Sequence, residues 1–374
     1  MKKIVSCLLA FALCLGLCAC SEDSAPVSPN GNETTGNPDT ATPSGNTEDD
    51  TNYTAELIFE PGDDLASYRV AGISGIPQRT DIVIPATYQG YPVTEIKNGA
   101  FKGLGITSIS IPDSVTIIGA SAFSGCERLQ YNIYGGAKYV GNENNPYRFL
   151  VAPETKEGST IEVHPDVFTI LPQAFNACSG PTSVILPEGM TSIPPQAFEL
   201  CTGLTSITIP DSVTSIGYSA FFNCENLKSV ILPDGVTDIG YCAFHCCYSM
   251  TDITIPDSVT SIGNSAFLGC ISLSDINIPD SVTYIGEGAF SQCKNLTNIT
   301  ISDSVTHIGE CAFYGCESIT SITIPGSVTS IGDIVFDGCF SLTDIYFGGT
   351  MAEWEALGYD YWGAVHCADG DISK

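Results

Sequence analysis

The stretch IPDSVTSIGNSAFLGC, residues 255–270, decides the fold because the chain repeats its pattern at a fixed spacing. The pattern occurs 23 residues earlier as LPDGVTDIGYCAFHCC and 23 residues later as IPDSVTYIGEGAFSQC. Phenylalanine marks the same position of each copy, at Phe175, Phe198, Phe221, Phe244, Phe267, Phe290, Phe313 and Phe336. A fixed period of about 20–50 residues predicts a solenoid, in which each coil is too small to bury its own apolar face and stacks on its neighbours.

The coil formed by residues 204–227 shows how one period is built. Alternating apolar residues up to Ile209 predict a short strand, and stacked coils would join such strands into a parallel sheet with a spacing of about 4.8 Å. Pro210 and Asp211 predict a turn, in which the Asp side chain caps backbone N–H groups. A second extended segment ends at Gly217, for which we expect a positive φ angle. The next segment, AFFNC, fits one turn of helix with Ala, Phe and Cys facing the core.

The spacing becomes irregular near the N-terminal end of the array. Phe101 and Phe123 are 22 residues apart, whereas Phe123 and Phe175 are 52 apart, which is two repeats plus six residues. We therefore predict an insertion near residues 131–157.

The repeat also resembles a known family. LTSITIPDSVTSIGYSAFFNC, residues 204–224, resembles the BspA-type leucine-rich repeat of bacterial surface proteins. DIVIPATYQGYPVTEIKNGAF resembles the entry segment of that family, and GGTMAEWEALG followed by VHCADGDI resembles its usual ending. The resemblance covers about residues 55–374. It implies a leucine-rich repeat solenoid with short parallel strands, a turn or short-helix convex side, and caps at both ends.

Both ends of such a solenoid need caps because an open coil exposes its core. Residues 57–59 and 68–70, on either side of the turn at residues 61–63, predict a capping hairpin. Thr350 and Glu353 form a capping box, and the following helix has an apolar stripe of Met351, Trp354 and Leu357. The predicted divisions are 1–19 (lipoprotein signal peptide), 20–52 (disordered acylated stalk), 53–100 (N-terminal cap and first coil), 101–345 (solenoid) and 346–374 (C-terminal cap).

The first 20 residues predict export. Lys2 and Lys3 precede an apolar run that is too short for a comfortable membrane span, which indicates a signal peptide. Its end, LCAC, resembles the bacterial lipobox, in which the last cysteine, here Cys20, is acylated; the alternative is an ordinary signal peptide rich in cysteine. Residues 21–52 are polar, without Lys, Arg or aromatic residues, and predict a disordered stalk. We expect a protein that is extracytoplasmic, lipid-anchored to the membrane and exposed at the cell surface.

The charge of the chain excludes one class of partner. Lys and Arg number 13 against 42 Asp and Glu, for a formal net charge of −29. Such a surface repels phosphate backbones, so we expect no nucleic acid partner.

Cysteine recurs three residues after the repeated phenylalanine. The positions are Cys126, Cys178, Cys201, Cys224, Cys247, Cys270, Cys293, Cys316 and Cys339. In an exported protein they suggest disulfides or a metal site. However, one thiol per coil at about 4.8 Å neither converges for a disulfide nor supplies four ligands around one point. We therefore predict free, buried thiols that act as small apolar side chains.

The chain offers little support for catalysis. Cys242, His245 and Cys246 form its one Cys/His cluster, which we expect on or near the surface as a chance arrangement and not as a metal site. No nucleophile elbow, HExxH, phosphate loop or zinc signature occurs. We predict no enzyme activity, no metal and no cofactor. A row of turn carboxylates could hold calcium or could cap turns and aid solubility, and the lack of Gly-rich loops favours the second: Asp113, Asp211, Asp234, Asp257, Asp280 and Asp303.

Two groups of residues are candidates for binding. The first is an aromatic cluster beside the Phe-bearing turns of two neighbouring coils: Tyr218, Phe222, Tyr241, His245 and Tyr248. Its alternative role is to cover the seam between those coils. The second is the outward row of the first strands, an extended face of the kind that solenoids use for binding: Thr208, Thr254, Asn277, Thr300, Thr323 and Tyr346, with Ser110, Ile185 and Ile231 in the same row. Threonine rows also simply favour strands.

These observations predict a monomeric cell-surface protein that binds proteins or glycoproteins of a host or of neighbouring cells. Adhesion, including adhesion to host matrix glycoproteins, is what the BspA resemblance implies. The alternative is a structural or assembly scaffold of the cell envelope.

Overall fold

The computed structural model describes residues 57–74, 80–154 and 157–372. The predicted signal peptide, Cys20 and the stalk lie outside these residues. Within them the chain forms the predicted solenoid, in which each regular coil contributes two short strands that pair in parallel with the equivalent strands of neighbouring coils.

A hairpin closes the N-terminal end, as predicted. Strand β1 (Leu57–Pro61) pairs antiparallel with β2 (Tyr68–Ile73), and β2 pairs in parallel with the later strand β5 (Tyr91–Ile96). Arg69 on β2 fixes the turn, because its Nη2 donates to Asp63 over 2.6 Å. The other strands of this region are β3 (Asp81–Val83), β4 (Thr87–Tyr88), β6 (Ser108–Ser110) and β7 (Ile117–Ile118).

The predicted insertion contains three strands, β8 (Asn132–Tyr134), β9 (Ala137–Val140) and β10 (Phe149–Pro153). β8 and β9 form an antiparallel hairpin, and β9 also pairs antiparallel with β10. β10 pairs in parallel with β12 (Thr169–Ile170), so this hairpin sheet joins the second strand of the next coil.

The first strands of the coils build one face of the solenoid. Their three-residue pattern is exposed, buried, exposed, because alternate side chains of a strand point to opposite sides. The parallel ladder ends at β19, resumes at β21, ends again at β23 and resumes at β25. These strands are β11 (Thr160–Glu162), β13 (Ser183–Ile185), β15 (Ser206–Thr208), β17 (Ser229–Ile231), β19 (Asp252–Thr254), β21 (Asp275–Asn277), β23 (Asn298–Thr300), β25 (Ser321–Ile324) and β27 (Asp344–Phe347).

The second strands form a continuous seven-stranded sheet. Each has one outward residue and one inward isoleucine, and the threonine before it donates its N–H to the preceding coil, as Thr260 does to Thr237 over 3.0 Å. These strands are β14 (Ser192–Ile193), β16 (Ser215–Ile216), β18 (Asp238–Ile239), β20 (Ser261–Ile262), β22 (Tyr284–Ile285), β24 (His307–Ile308) and β26 (Ser330–Ile331).

The convex side consists of turns, and the expectation of a helical turn there is wrong. Ser219 and Asn223 have left-handed backbones, with φ angles of 51° and 57°, which a helix does not allow. The turn bonds span three residues, from Cys224 N–H to the Phe221 carbonyl, and Ser219 N–H donates to Tyr241 O of the next coil over 2.8 Å. Backbone hydrogen bonds between neighbouring coils thus replace the hydrogen bonds that a helix would form within one coil. The apolar side chains still face the core as predicted.

Glycine follows six of the seven second strands, all but β14, and its role is close approach of the coils and not a positive φ angle. Gly217 has no positive φ, contrary to our expectation. A Cβ atom at Gly263 would lie 2.7–2.9 Å from backbone atoms of Ile239, Gly240 and Tyr241 in the preceding coil. Only glycine lets the two backbones pack this closely.

The core is a stack of rings and thiols along the solenoid axis. From Phe198 to Phe336, ring centroids of successive phenylalanines are 5.2–5.9 Å apart and their planes lie within 6° of parallel. The repeated cysteines are buried and free, as predicted. Cys270 donates its thiol to the Phe244 carbonyl of the preceding coil over 3.2 Å, and burial raises its pKa. The thiols are therefore packing groups that also satisfy backbone acceptors.

The C-terminal end is closed by the one helix among the described residues, α1 (Met351–Leu357). Thr350 and Glu353 form the predicted capping box, and Trp354 is buried against the last coil. Strand β28 (Ala364–Cys367) extends the first-strand face beyond β27, and β29 (Gly370–Ile372) folds back on it antiparallel.

Candidate binding surfaces

The aromatic cluster lies at the convex corner of two neighbouring coils. Tyr218, Tyr241 and Tyr248 expose 47%, 54% and 37% of their surface. Phe222 is half-buried, and its ring centroid lies 4.8 Å from that of His245. Three tyrosines of this corner are therefore exposed, whereas Phe222 and His245 form a more buried pair of rings, which we call the floor of the cluster.

His245 is part of the floor and not of the exposed surface, so its expected position was wrong. It exposes only 6% of its surface, and Cys242 beside it is buried as well. Cys242 Sγ and His245 Nδ1 are 3.4 Å apart. The equivalent residue of the next coil is Leu268, and the preceding one is Phe222. The apolar residues at these equivalent positions indicate that the side chain at this position packs into the seam between coils.

Burial makes His245 a determinant of acid stability. Loss of hydration lowers its pKa from about 6.5 to about 4. Between pH 6.5 and pH 4, His245 binds a proton in the unfolded chain but stays neutral in the folded protein. The free energy of unfolding therefore decreases as the pH falls through this range. We expect a loss of up to about 3 kcal/mol between pH 7 and pH 4 from this residue.

The variant His245→Leu, which copies the residue of the next coil, tests this expectation. Denaturant unfolding at pH 7 and pH 4 should show a smaller acid loss in the variant than in the wild-type protein. Equal losses in the two proteins would contradict the role assigned to His245.

The second candidate surface is the outward side of the first strands, which we call the strand face. All six predicted residues of this face are exposed: Thr208, Thr254, Asn277, Thr300, Thr323 and Tyr346. Ile231 in the same row exposes 80% of its surface. The structure therefore places these residues in one exposed row.

The strand face contains a second row that the sequence analysis missed. It lies two residues earlier in each strand and includes Asp252, Asp275 and Asp344. Asp252 and Asp275 border a groove of about 300 Å³ where the ladder opens between β19 and β21. The strand alternation could have revealed this row, since residues two apart share a face.

The C-terminal cap adds one histidine to the strand face. His366 on β28 lies beside Tyr346, with ring centroids 4.8 Å apart. Its Nε2 is 2.9 Å from Asp344 Oδ1, and its Nδ1 is 2.9 Å from Asp371 Oδ1. Hydrogen bonds to these carboxylates raise the pKa of His366. This contact was not predictable from the sequence, because it requires the register of the cap strand.

We expected the turn carboxylates to cap backbone N–H groups, and they do not. Asp211, Asp234 and Asp257 are exposed, and no hydrogen bond of theirs occurs among the described residues. The turns are held instead by bonds such as Val259 N–H to Pro256 O and Ser258 hydroxyl to the Val236 carbonyl of the preceding coil. In the described part of the chain, no three His, Cys, Asp or Glu side chains are grouped to hold a metal ion.

Within residues 57–74, 80–154 and 157–372, no helix has both the length and the apolar character needed to cross a bilayer.

The repeat geometry agrees with a defined family. The family described as BspA type Leucine rich repeat region matches the chain in six copies, over residues 80–143, 154–274 and 237–359. The chain belongs to this family. The BspA-type repeats contain the whole aromatic cluster and nearly the whole strand face. No protein of curated function matches the sequence.

Several solved structures are similar to this BspA-type protein. A leucine rich cell surface protein of Faecalibacterium prausnitzii is 27% identical, with 82% of this chain and 97% of that chain covered and a TM-score of 0.36. A leucine-rich repeat protein of Bacteroides ovatus is 22% identical, with 85% and 100% covered and a TM-score of 0.45. For the pneumococcal vaccine antigen PcpA the values are 17%, 78%, 79% and 0.42. Because these TM-scores are below 0.5, family membership rests on the repeat match.

Proposed function

We propose that this BspA-type protein is a lipid-anchored protein of the cell surface that binds proteins or glycoproteins of a host or of neighbouring cells. The observation that carries the proposal is the aromatic cluster. Large aromatic side chains that become buried dominate the energetics of interfaces, whereas small hydroxyl groups contribute little each. Tyr218, Tyr241 and Tyr248 combine exposed rings with polar hydroxyls on a rigid coil stack.

The rigidity of the support is part of the argument. The backbone beneath the tyrosines is bonded from coil to coil, with Ser219 N–H donating to Tyr241 O and Cys242 N–H donating to Asn264 O over 3.0 Å. A hydrogen bond with Cys246 raises the pKa of Tyr248 and ties its hydroxyl to the same coil. Rings held in place lose little entropy on binding.

The anchor belongs to the same proposal and rests on the lipobox-like sequence that ends at Cys20. A diacylated cysteine provides two acyl chains, which suffice for stable membrane attachment. Cys20→Ala should move the protein from the detergent phase to the aqueous phase in a partitioning assay. A variant that stays in the detergent phase would contradict the anchor.

Exchange of the exposed tyrosines tests the binding site. We expect Tyr218→Ser, Tyr241→Ser and Tyr248→Ser together to abolish binding to immobilised matrix glycoproteins while the melting temperature stays nearly unchanged. Phe222 and His245 are left intact because they form the floor of the cluster. The control is Tyr91→Ser with Tyr284→Ser, which removes exposed rings elsewhere.

If the tyrosines instead only cover the seam between the two coils, the triple variant should behave in the opposite way. This role predicts a lower melting temperature, with binding retained by the protein that remains folded. Retained binding in a well-folded triple variant would refute the tyrosine site.

A further inference from the structure

The groove of the strand face combines an opening in the sheet with unbalanced negative charge. The parallel ladder joins β17 to β19 and β21 to β23, but it ends between β19 and β21. Asp252, Thr254, Asp275, Asn277, Asn298 and Thr300 line this opening, which has a volume of about 300 Å³. The lining is polar and carries two carboxylates on adjacent strands.

Both carboxylates are exposed, but their surroundings differ. Asp275 accepts hydrogen bonds from the Ser274 hydroxyl, over 2.6 Å, and from Asn298 Nδ2. These bonds lower the pKa of Asp275, so it is ionised at neutral pH. The Asp252 carboxylate has no hydrogen bond or ion pair among the described residues, so it is available to a cation of a partner.

The protein itself supplies almost no cation to this region. Between Cys178 and Ile372 the chain has 22 Asp and Glu residues but only two basic ones, Lys228 and Lys294. Lys294 is paired with Glu317 over 2.9 Å. No ion pair among the described residues balances the negative charge of Asp252 and Asp275, and this charge selects against acidic partners.

The strand face also offers an apolar contact beside the groove. Ile231 pairs with Thr254 across β17 and β19, so its exposed side chain lies one strand away from the opening. The other members of the row near the groove are Thr254, Asn277 and Thr300, which carry hydroxyl or amide groups. A partner that fits this surface combines positive charge with at least one apolar side chain.

We propose that the strand face docks an extended, basic polypeptide segment of a partner protein, with a Lys or Arg side chain between Asp252 and Asp275. In an extended segment, side chains on one side are about 6.6 Å apart, whereas the coils are about 4.8 Å apart. The length of Lys and Arg side chains absorbs this difference. The inference goes beyond the proposed function because it concerns another face of the solenoid and a defined partner chemistry.

The proposal is tested with a fluorescent decalysine peptide. Its binding to the full-length protein is measured by fluorescence anisotropy at 0.15 M salt. At this ionic strength charges are screened beyond about 8 Å, so local carboxylates matter more than the net charge. We expect Asp252→Asn with Asp275→Asn to weaken binding about tenfold, which corresponds to about 1.4 kcal/mol.

The matched control is Asp234→Asn with Asp257→Asn, which removes the same charge from exposed turns of the same part of the solenoid. It should change the affinity less than about twofold, because surface charges away from a contact contribute little. An equal loss in both double variants, or an unchanged affinity of the strand-face variant, would overturn the proposal. The tyrosine variant should keep decalysine binding, so failure of the aromatic site and failure of the groove are separate results.

Discussion

We expect Phe267→Ala to lower the free energy of unfolding by about 3–5 kcal/mol, the usual cost of removing a buried phenylalanine ring. Phe267 is fully buried, and its ring centroid lies 5.5 Å from that of Phe244 and 5.3 Å from that of Phe290. The deletion leaves a cavity that the parallel rings on either side cannot fill without breaking the bonds between coils. The loss should therefore be large and confined to neighbouring coils.

Hydrogen exchange measures both the size and the range of this effect. In a solenoid each repeat contacts only its neighbours, so amide protection should fall first in the coils that contain Phe244, Phe267 and Phe290. Phe340→Ala is the control, since Phe340 is exposed and its removal should cost little. A uniform rise in exchange along the whole solenoid would contradict nearest-neighbour stability.

We expect Gly263→Ala to destabilise the protein by about 1–3 kcal/mol or more, although it adds only one methyl group. The added Cβ would lie 2.7 Å from the Ile239 carbonyl oxygen and 2.8–2.9 Å from backbone atoms of the next two residues. Backbone atoms cannot rotate away as a side chain can, so the coils must separate locally.

Gly105→Ala provides the matched control for the steric explanation. A Cβ at Gly105 would have no neighbour within 4 Å, so the change should be neutral or slightly stabilising. Denaturant midpoints of the two variants decide the matter. Equal effects of the two substitutions would contradict close approach of the backbones as the reason for the glycine row.

The periodicity of the sequence was enough to predict the stacking of the coils. A 23-residue spacing of Phe and Cys fixes which side chains repeat inside, and the core contains them. The conformation of the convex corner was not predictable from apolar spacing alone, because Ala220, Phe221 and Cys224 face inward from a helical turn or from a series of tight turns. The left-handed residues of this coil are Ser219 and Asn223. The sequence signal for this backbone is glycine at equivalent positions, Gly288 for Ser219 and Gly269, Gly315 and Gly338 for Asn223.

The candidate surfaces were predictable in part for the same reason. Exposure of Tyr218 and Tyr241 followed from their position beside the core phenylalanines, whereas burial of His245 depends on a seam that exists only between stacked coils. The groove at Asp252 and Asp275 depends on where the ladder opens, which the repeat pattern does not encode. Local period therefore predicts rows of residues, but contacts between rows require the three-dimensional register.

Comparison of two sources of partner tests the proposed function most directly. The full-length protein is immobilised and offered either matrix glycoproteins or an envelope extract from its own cells. We predict saturable binding of a matrix glycoprotein that the tyrosine variant loses, with no matching enrichment of envelope components. Saturable binding of envelope components alone, unchanged in the tyrosine variant, would contradict adhesion and identify the solenoid as an envelope scaffold.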